Sequence, residues 1–409
     1  MILRTIPDRS SFSLSLSTLL IALSLCTGLV ACGSGGGDPA SGVGSPPPPA
    51  GPQYTYVASA VDNKIYAYHI NPSTGQLTTN GTVTTGSSPI QIAFDPTHQF
   101  AYVANQGSHD VSMYTHDKNT GVLTPIGIIG TGGLNPVSIA VDPSGRFVYV
   151  VNQNSGATIG VSAFRIDPAN GTLTLIGSVP AGVEPWSITI DPTGAYAYVS
   201  SGDPTPTTNF VYAFSIDQNT GALTAIGTPV PAPEVAVHVT VDPSGHFAYL
   251  ASGVSHTITG YKIDVTTGVL TKIDPPGSLT TGGTASRAVS VEHTNTFAYV
   301  ANIGSNDISA FRINRTTGAL TPVGSPTPLP IPVGGIRGGS EGARWVVAHP
   351  SEPFLYVTYL TDPPPHIDPN HIPAHIAAFR IDPATGGLTH IGDTPTGDGS
   401  VGITVITTQ

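Results

Sequence analysis

Cysteine is nearly absent from this chain. There are two in 409 residues, Cys26 and Cys32. Charge is scarce as well, with Asp, Glu, Lys and Arg together at 10%. Long surface helices need many such residues, so a mostly helical protein is excluded. The 14 Lys and Arg are scattered singly and the formal net charge is −11, which excludes the basic footprint of a nucleic-acid binder. Glycine and proline are abundant instead, at 48 and 39. Short apolar runs joined by many turns fit that composition.

The two cysteines fall in a targeting signal. Arg4 and Arg9 form a charged start, an apolar stretch runs from about Leu14 to Val30, and Leu29-Val30-Ala31-Cys32 follows. This ending resembles a bacterial lipobox, which implies removal of residues 1–31 and lipid on the Cys32 thiol. Cys26 would leave with the signal, so the mature chain would hold no disulfide. Residues 32–53 have almost nothing apolar to bury and read as a disordered tether, stiffened at Pro46 to Pro49. By resemblance to Gram-negative lipoproteins, Gly33 after the cysteine favours the outer membrane. The expected address is the cell envelope, with membrane contact through the lipid alone.

Residues 54–409 carry an internal repeat. Each unit reads as a short apolar run, Asp-Pro-x-Gly, aromatic-x-Tyr-Val, a polar loop, a second alternating run, and Thr-Gly-x-Leu-Thr. The tyrosine recurs at Tyr56, Tyr102, Tyr149, Tyr198, Tyr249, Tyr299 and Tyr356. The leucine recurs at Leu77, Leu123, Leu173, Leu223, Leu270, Leu320 and Leu388. Asp142-Pro143-Ser144-Gly145 and its relatives are tight turns. The β-branched and aromatic runs between turns are strands, four per unit: in one unit Ile139 to Val141, Val148 to Val151, Val161 to Ile166 and Thr172 to Gly177. Seven such units predict an all-β, seven-bladed β-propeller of four-stranded antiparallel blades. The repeat starts on a second strand, Tyr54 to Ala58, and stops on a first strand, Val401 to Ile406. The C-terminal strand should therefore complete the first blade and close the ring.

Length variation lies in the loops of one face, which makes that face the functional candidate. Aligning the units on Asp-Pro puts Ile90, Val137, Trp186, Val237, Arg287 and Arg344 at one position near the channel mouth. The next position holds Gln91, Ser138, Ser187, His238, Ala288 and Trp345. Buried arginines need a partner, either loop carboxylates such as Glu341, Glu234 or Glu184, or an anionic ligand. His238 reads either as a base or as a hydrogen-bonded channel residue. Trp186 and Trp345 read either as a stacking surface for a ring ligand or as channel filling. The run His366 to His375 is rich in histidine, but Pro369 and Pro373 preclude a helical pair of ligands, and no metal or other cofactor is expected.

Ala298-Tyr-Val-Ala-Asn302, Ile308-Ser-Ala-Phe-Arg-Ile-Asn314 and Thr317-Gly-Ala-Leu-Thr321 resemble the repeats of the seven-bladed lactonase propellers. That family includes bacterial 6-phosphogluconolactonases and fungal carboxymuconate-cyclising enzymes. The resemblance implies a site of arginines and a histidine at the channel mouth, with Arg287, Arg344 and His238 as the matching catalytic positions. Trp186, Trp345 and Glu341 are the accompanying ligand-binding candidates. It also implies a glutamate after a Tyr-Val-x-Asn strand, where this chain has Ile303 and, in the last unit, Leu360. Acid–base work would then fall to His238 or a loop glutamate. The function expected is hydrolysis of a small acidic lactone, by a monomer. The alternative is a non-catalytic propeller that binds a sugar-like ligand or an envelope protein. An envelope address disfavours phosphosugars as substrates, because those are cytoplasmic.

Overall fold

The computed structural model describes residues 51–153, 159–202, 208–274, 277–330, 342–361 and 374–408. These residues form seven antiparallel sheets and no helix. Each sheet is one blade, with strands A to D from the axis outward. Blades 2 to 7 begin at Pro89, Pro136, Pro185, Ala236, Ser286 and Gly342. Blade 1 takes its B, C and D strands from Gln53–Ser59, Lys64–Ile70 and Leu77–Thr84, and its A strand from Ser400–Thr407. Tyr56 pairs with Thr404 and Val57 with Ile403, so the tail of the chain closes the ring as its pattern predicts.

The two sequence markers meet across every blade interface. The hydroxyl of Tyr149 in blade 3 donates to the carbonyl of Gly221 in the turn of blade 4, at 3.0 Å. The same bond recurs from Tyr56 to Gly121, Tyr102 to Gly171, Tyr198 to Gly268, Tyr249 to Gly318, Tyr299 to Gly386 and Tyr356 to Gly75, which completes the circle. The aromatic residue two places before each tyrosine covers the same glycine. A Cβ on Gly221 would lie 2.3 Å from Phe147 Cδ1, and its φ is +78°. Glycine is therefore required twice over at this turn, by backbone conformation and by the neighbouring ring. Burial holds the hydroxyls of these tyrosines well above the usual phenol range.

The Asp-Pro-x-Gly turns work through their carboxylates. Asp142 accepts the backbone N–H groups of Ser144, Arg146 and Phe147 at 3.1, 2.8 and 2.7 Å. Glu292 does the same for Thr294, Thr296 and Phe297 in blade 6. In blade 7 the Nδ1 of His349 accepts from Ser351 and Glu352 instead.

The strand expected over Thr172 to Gly177 runs from Leu173 to Val179. In blades 4, 5 and 6 the D strand is split in two, as in Leu223–Ala225 and Val230–Pro231. The break follows the step at which the intact D strands carry a bulge, so extra residues there loop out rather than stretch the strand.

Candidate functional site

Every A strand carries a β-bulge near its start, and the bulge builds the channel mouth. In blade 6, Ser286 pairs with Asn302 and Ala288 with Ala301, which leaves Arg287 as the extra residue. The same shift leaves out Ile90, Val137, Trp186, Val237 and Arg344. These are the six positions that the alignment on Asp-Pro brings together. The closing strand adds a seventh, Val401, where its register shifts between Val57 and Ser59. All seven line one cavity of about 290 Å³ on the axis. A bulge turns its extra side chain out of the regular alternation, and here it turns seven of them toward one opening.

The residue two places before each bulged position has positive φ. Ser88, Asn135, Glu184, Val235 and Ala285 lie at φ 52, 49, 51, 53 and 52°, and Gly342 and Gly399 at 116 and 62°. Five are not glycine, and Val235 is β-branched, so the backbone is strained around the rim. A repeated hydrogen bond holds it: the carbonyls of Ser88, Asn135, Glu184, Val235 and Ala285 accept the N–H of Gln106, Gln153, Gly202, Gly253 and Ile303.

Arg287 and Arg344 project from neighbouring blades into the same cavity. The Arg287 Cζ lies 5.2 Å from the Trp186 ring centroid, a cation–π contact. Trp186 is itself anchored, its indole N–H donating to Gly202 O at 2.9 Å. Burial and then the nearby Arg344 pull the Arg287 pKa down to about 10, which leaves it charged at neutral pH. Burial also lowers that of Arg344. The other tryptophan, Trp345, reaches the His238 ring in an edge contact, with centroids 4.9 Å apart. Its in-plane neighbours on the adjoining blades, Ala288 and Gly402, are small. Both tryptophans of the chain thus line this one cavity.

His238 belongs to a second ring, one step deeper. There the side chains of Gln91, Ser138, Ser187 and His238 each accept a backbone N–H of the next blade, from Ile139, Ile188, Val239 and Val289. The bond to His238 Nδ1 is 3.3 Å, which puts the neutral ring's proton on Nε2. Burial, and then Arg287, lower its pKa to about 4. At neutral pH His238 therefore offers an N–H rather than a free lone pair. For His238 and Arg287 alike, burial comes first and a neighbouring arginine second among the causes of the shift.

Ile303 follows the B strand of blade 6 as expected, whereas Leu360 is the last residue of the B strand of blade 7, and Leu360 lines the cavity. The equivalent residues on the other blades are Ala60, Gln106, Gln153, Gly202 and Gly253, so none of the seven is acidic. Glu341, Cys32, His366 and His371 lie outside the described residues. His375 sits in the C strand of blade 7, stacked on Tyr359 at 5.4 Å. No group of three potential metal ligands occurs among the described residues.

Comparison with known proteins agrees with this geometry. The family model described as lactonase, 7-bladed beta-propeller matches residues 50–128, 131–241 and 235–337. The chain belongs to the seven-bladed lactonase family. Among solved structures, the periplasmic gluconolactonase of Pseudomonas aeruginosa superposes with a TM-score of 0.68 at 18% identity, covering 87% of this chain and 99% of that one. A candidate 6-phosphogluconolactonase of Bacteroides fragilis gives 0.67 at 20% identity, covering 90% and 100%. A protein from Lactobacillus plantarum gives 0.66 at 18% identity, covering 87% and 99%. At these identities the three establish the fold that this lactonase-family chain shares. No curated protein matches the chain.

Proposed function

We propose that this lactonase-family propeller receives a compact acidic lactone at its axial cavity and hydrolyses it in the cell envelope. One observation carries the reading. Arg287 and Arg344 stand on adjacent bulges and enter one cavity. Two half-buried guanidinium groups entering one cavity favour an anionic ligand or a polarised carbonyl. Trp186 and Trp345, both lining the cavity, supply apolar surface for a ring.

In hydrolysis, water adds to the lactone carbonyl carbon and the carbonyl oxygen gains negative charge. The arginines would stabilise that oxyanion. The carbon–oxygen bond of the ring then breaks and the departing oxygen takes a proton. That proton comes from water, while His238, neutral with its proton on Nε2, suits the role of hydrogen-bond donor to the departing oxygen, because its lone pair already accepts Val289 N–H. Proton removal from water then falls to hydroxide or to a loop carboxylate such as Glu341.

The same two features support a second reading, a propeller that binds an acid without turning it over. Purified protein assayed on a panel of acidic lactones, beside an Arg287→Ala/Arg344→Ala variant, separates the two. Loss of hydrolysis in the variant supports the enzyme. Equal rates in both proteins would remove it. Calorimetric binding of the ring-opened acid to wild type alone would then support the binder.

The envelope address rests on Leu29-Val30-Ala31-Cys32 and the Gly/Pro-rich tether that follows. Replacing Cys32→Ser should abolish metabolic labelling by palmitate and release the protein from the membrane fraction. Continued labelling would refute lipidation at this residue.

A further inference from the structure

The sevenfold repeat supplies an internal control for each blade interface. In every D strand one residue falls at the bulge step: Ile126, Ile176, Ile226, Ile273, Val323 and Ile391 in blades 2 to 7, and Asn80 in blade 1. The aliphatic ones pack against the blade cores. Ile176, Ile226 and Ile273 reach under the turn glycine of the next blade. A Cβ on Gly221, Gly268 or Gly318 would lie 2.8, 2.8 or 2.7 Å from their Cδ1 atoms. Asn80 occupies the same place beneath Gly121, with its Nδ2 donating to Thr120 O at 2.7 Å.

The exchange of a plug for an amide leaves space. Between blades 5 and 6, where Ile273 fills the position, the cavity measures about 10 Å³. The equivalent cavity between blades 1 and 2 measures about 260 Å³. Ile65, Ala67, Val83 and Leu123 give it aliphatic walls, Asn80 and Thr82 are its polar groups, and no charged residue lines it. Among the described residues, Asn80 Oδ1 has no hydrogen-bond partner. None of these residues lines the axial cavity.

The geometry points to a second binding site here, between blades 1 and 2, for a compact neutral molecule with an aliphatic body and one N–H or O–H donor for Asn80 Oδ1. An ionised ligand would lose its hydration without gaining a counter-charge. The volume sits near the lower end for small-molecule sites, roughly 300 Å³. Ligand and wall would bury apolar surface against each other, and the amide would fix orientation.

Isobutyramide is a suitable probe, being branched, neutral and a donor. It is titrated into the full propeller and followed by protein-observed NMR, with isobutyrate as the charged twin. Saturable binding to wild type is expected, weakened tenfold or more in Asn80→Ile and unchanged in Arg287→Ala. Should Asn80→Ile not fold, Asn80→Val, the aliphatic choice of blade 6, is read in the same way. No saturable binding to wild type would overturn the site. Equal binding to the plugged variant, or equally tight binding of isobutyrate in an Asn80-dependent manner, would do so as well.

Discussion

His238 illustrates how one residue can satisfy two readings of a sequence while its hydrogen bond chooses between their chemistries. Its Nδ1 does for blade 6 what Gln91 Oε1 does for blade 3. His238→Gln should therefore keep the fold and most of any lactonase activity, whereas loss of all activity at full stability would assign His238 a direct chemical role. With its folded pKa near 4, His238 stays neutral across the physiological range, so the rate should show no inflection between about pH 5 and 8 from this group.

The same shift has a sign for stability. Burial depresses both His238 and His349 from 6.5 to about 4. The unfolded chain then binds more protons than the folded one between these values. Stability is fully present above about pH 6.5 and is lost as the pH falls toward 4, by on the order of 2–3 kcal/mol per group. Urea unfolding at pH 7 and pH 4.5 measures this, and His238→Gln should flatten the dependence.

At the scale of the element, the turn and the bulge differ in how far the sequence discloses them. The Asp-Pro-x-Gly turn is legible because its chemistry is local: the carboxylate of Asp142 serves N–H groups within five residues. Asp142→Ala would leave the buried N–H of Phe147 without its side-chain acceptor. A loss of about 1–3 kcal/mol is expected, read by denaturant titration. Gly221→Ala should cost more, because its φ of +78° and the nearby Phe147 ring both oppose a Cβ.

The bulge ring is half legible. Alignment on Asp-Pro places six of its members, but Val401 escapes because its strand ends the chain before any Asp-Pro. The strained rim escapes altogether, since Ser88, Val235 and Ala285 carry no glycine signature. Asn80 escapes for a different reason. An asparagine before glycine reads as a turn, and only the six aliphatic counterparts, seen in place, show that it stands where a plug belongs.

For the whole molecule, the count of blades and the closing strand follow from periodicity, because each unit has one place to bury each face. The chemistry of the mouth does not follow, because it depends on which side chains the bulges bring together across seven units. Closure should control stability. Truncation before Ser400 removes the A strand of blade 1 and exposes the edge of Gln53–Ser59. Such a chain is expected to lose its single cooperative unfolding transition and to self-associate, as light scattering would report.

In blade 1 the place of the A–B turn is taken by the two ends of the domain, where Thr408 N donates to Pro52 O at 3.0 Å. Geometry therefore does not single out this blade as the one to be opened. A short Asp-Pro-Ser-Gly bridge between these residues would give the seam a turn of the kind found elsewhere in the ring. New termini could then be cut at another turn of that face, and the circularly permuted protein should keep its mouth intact.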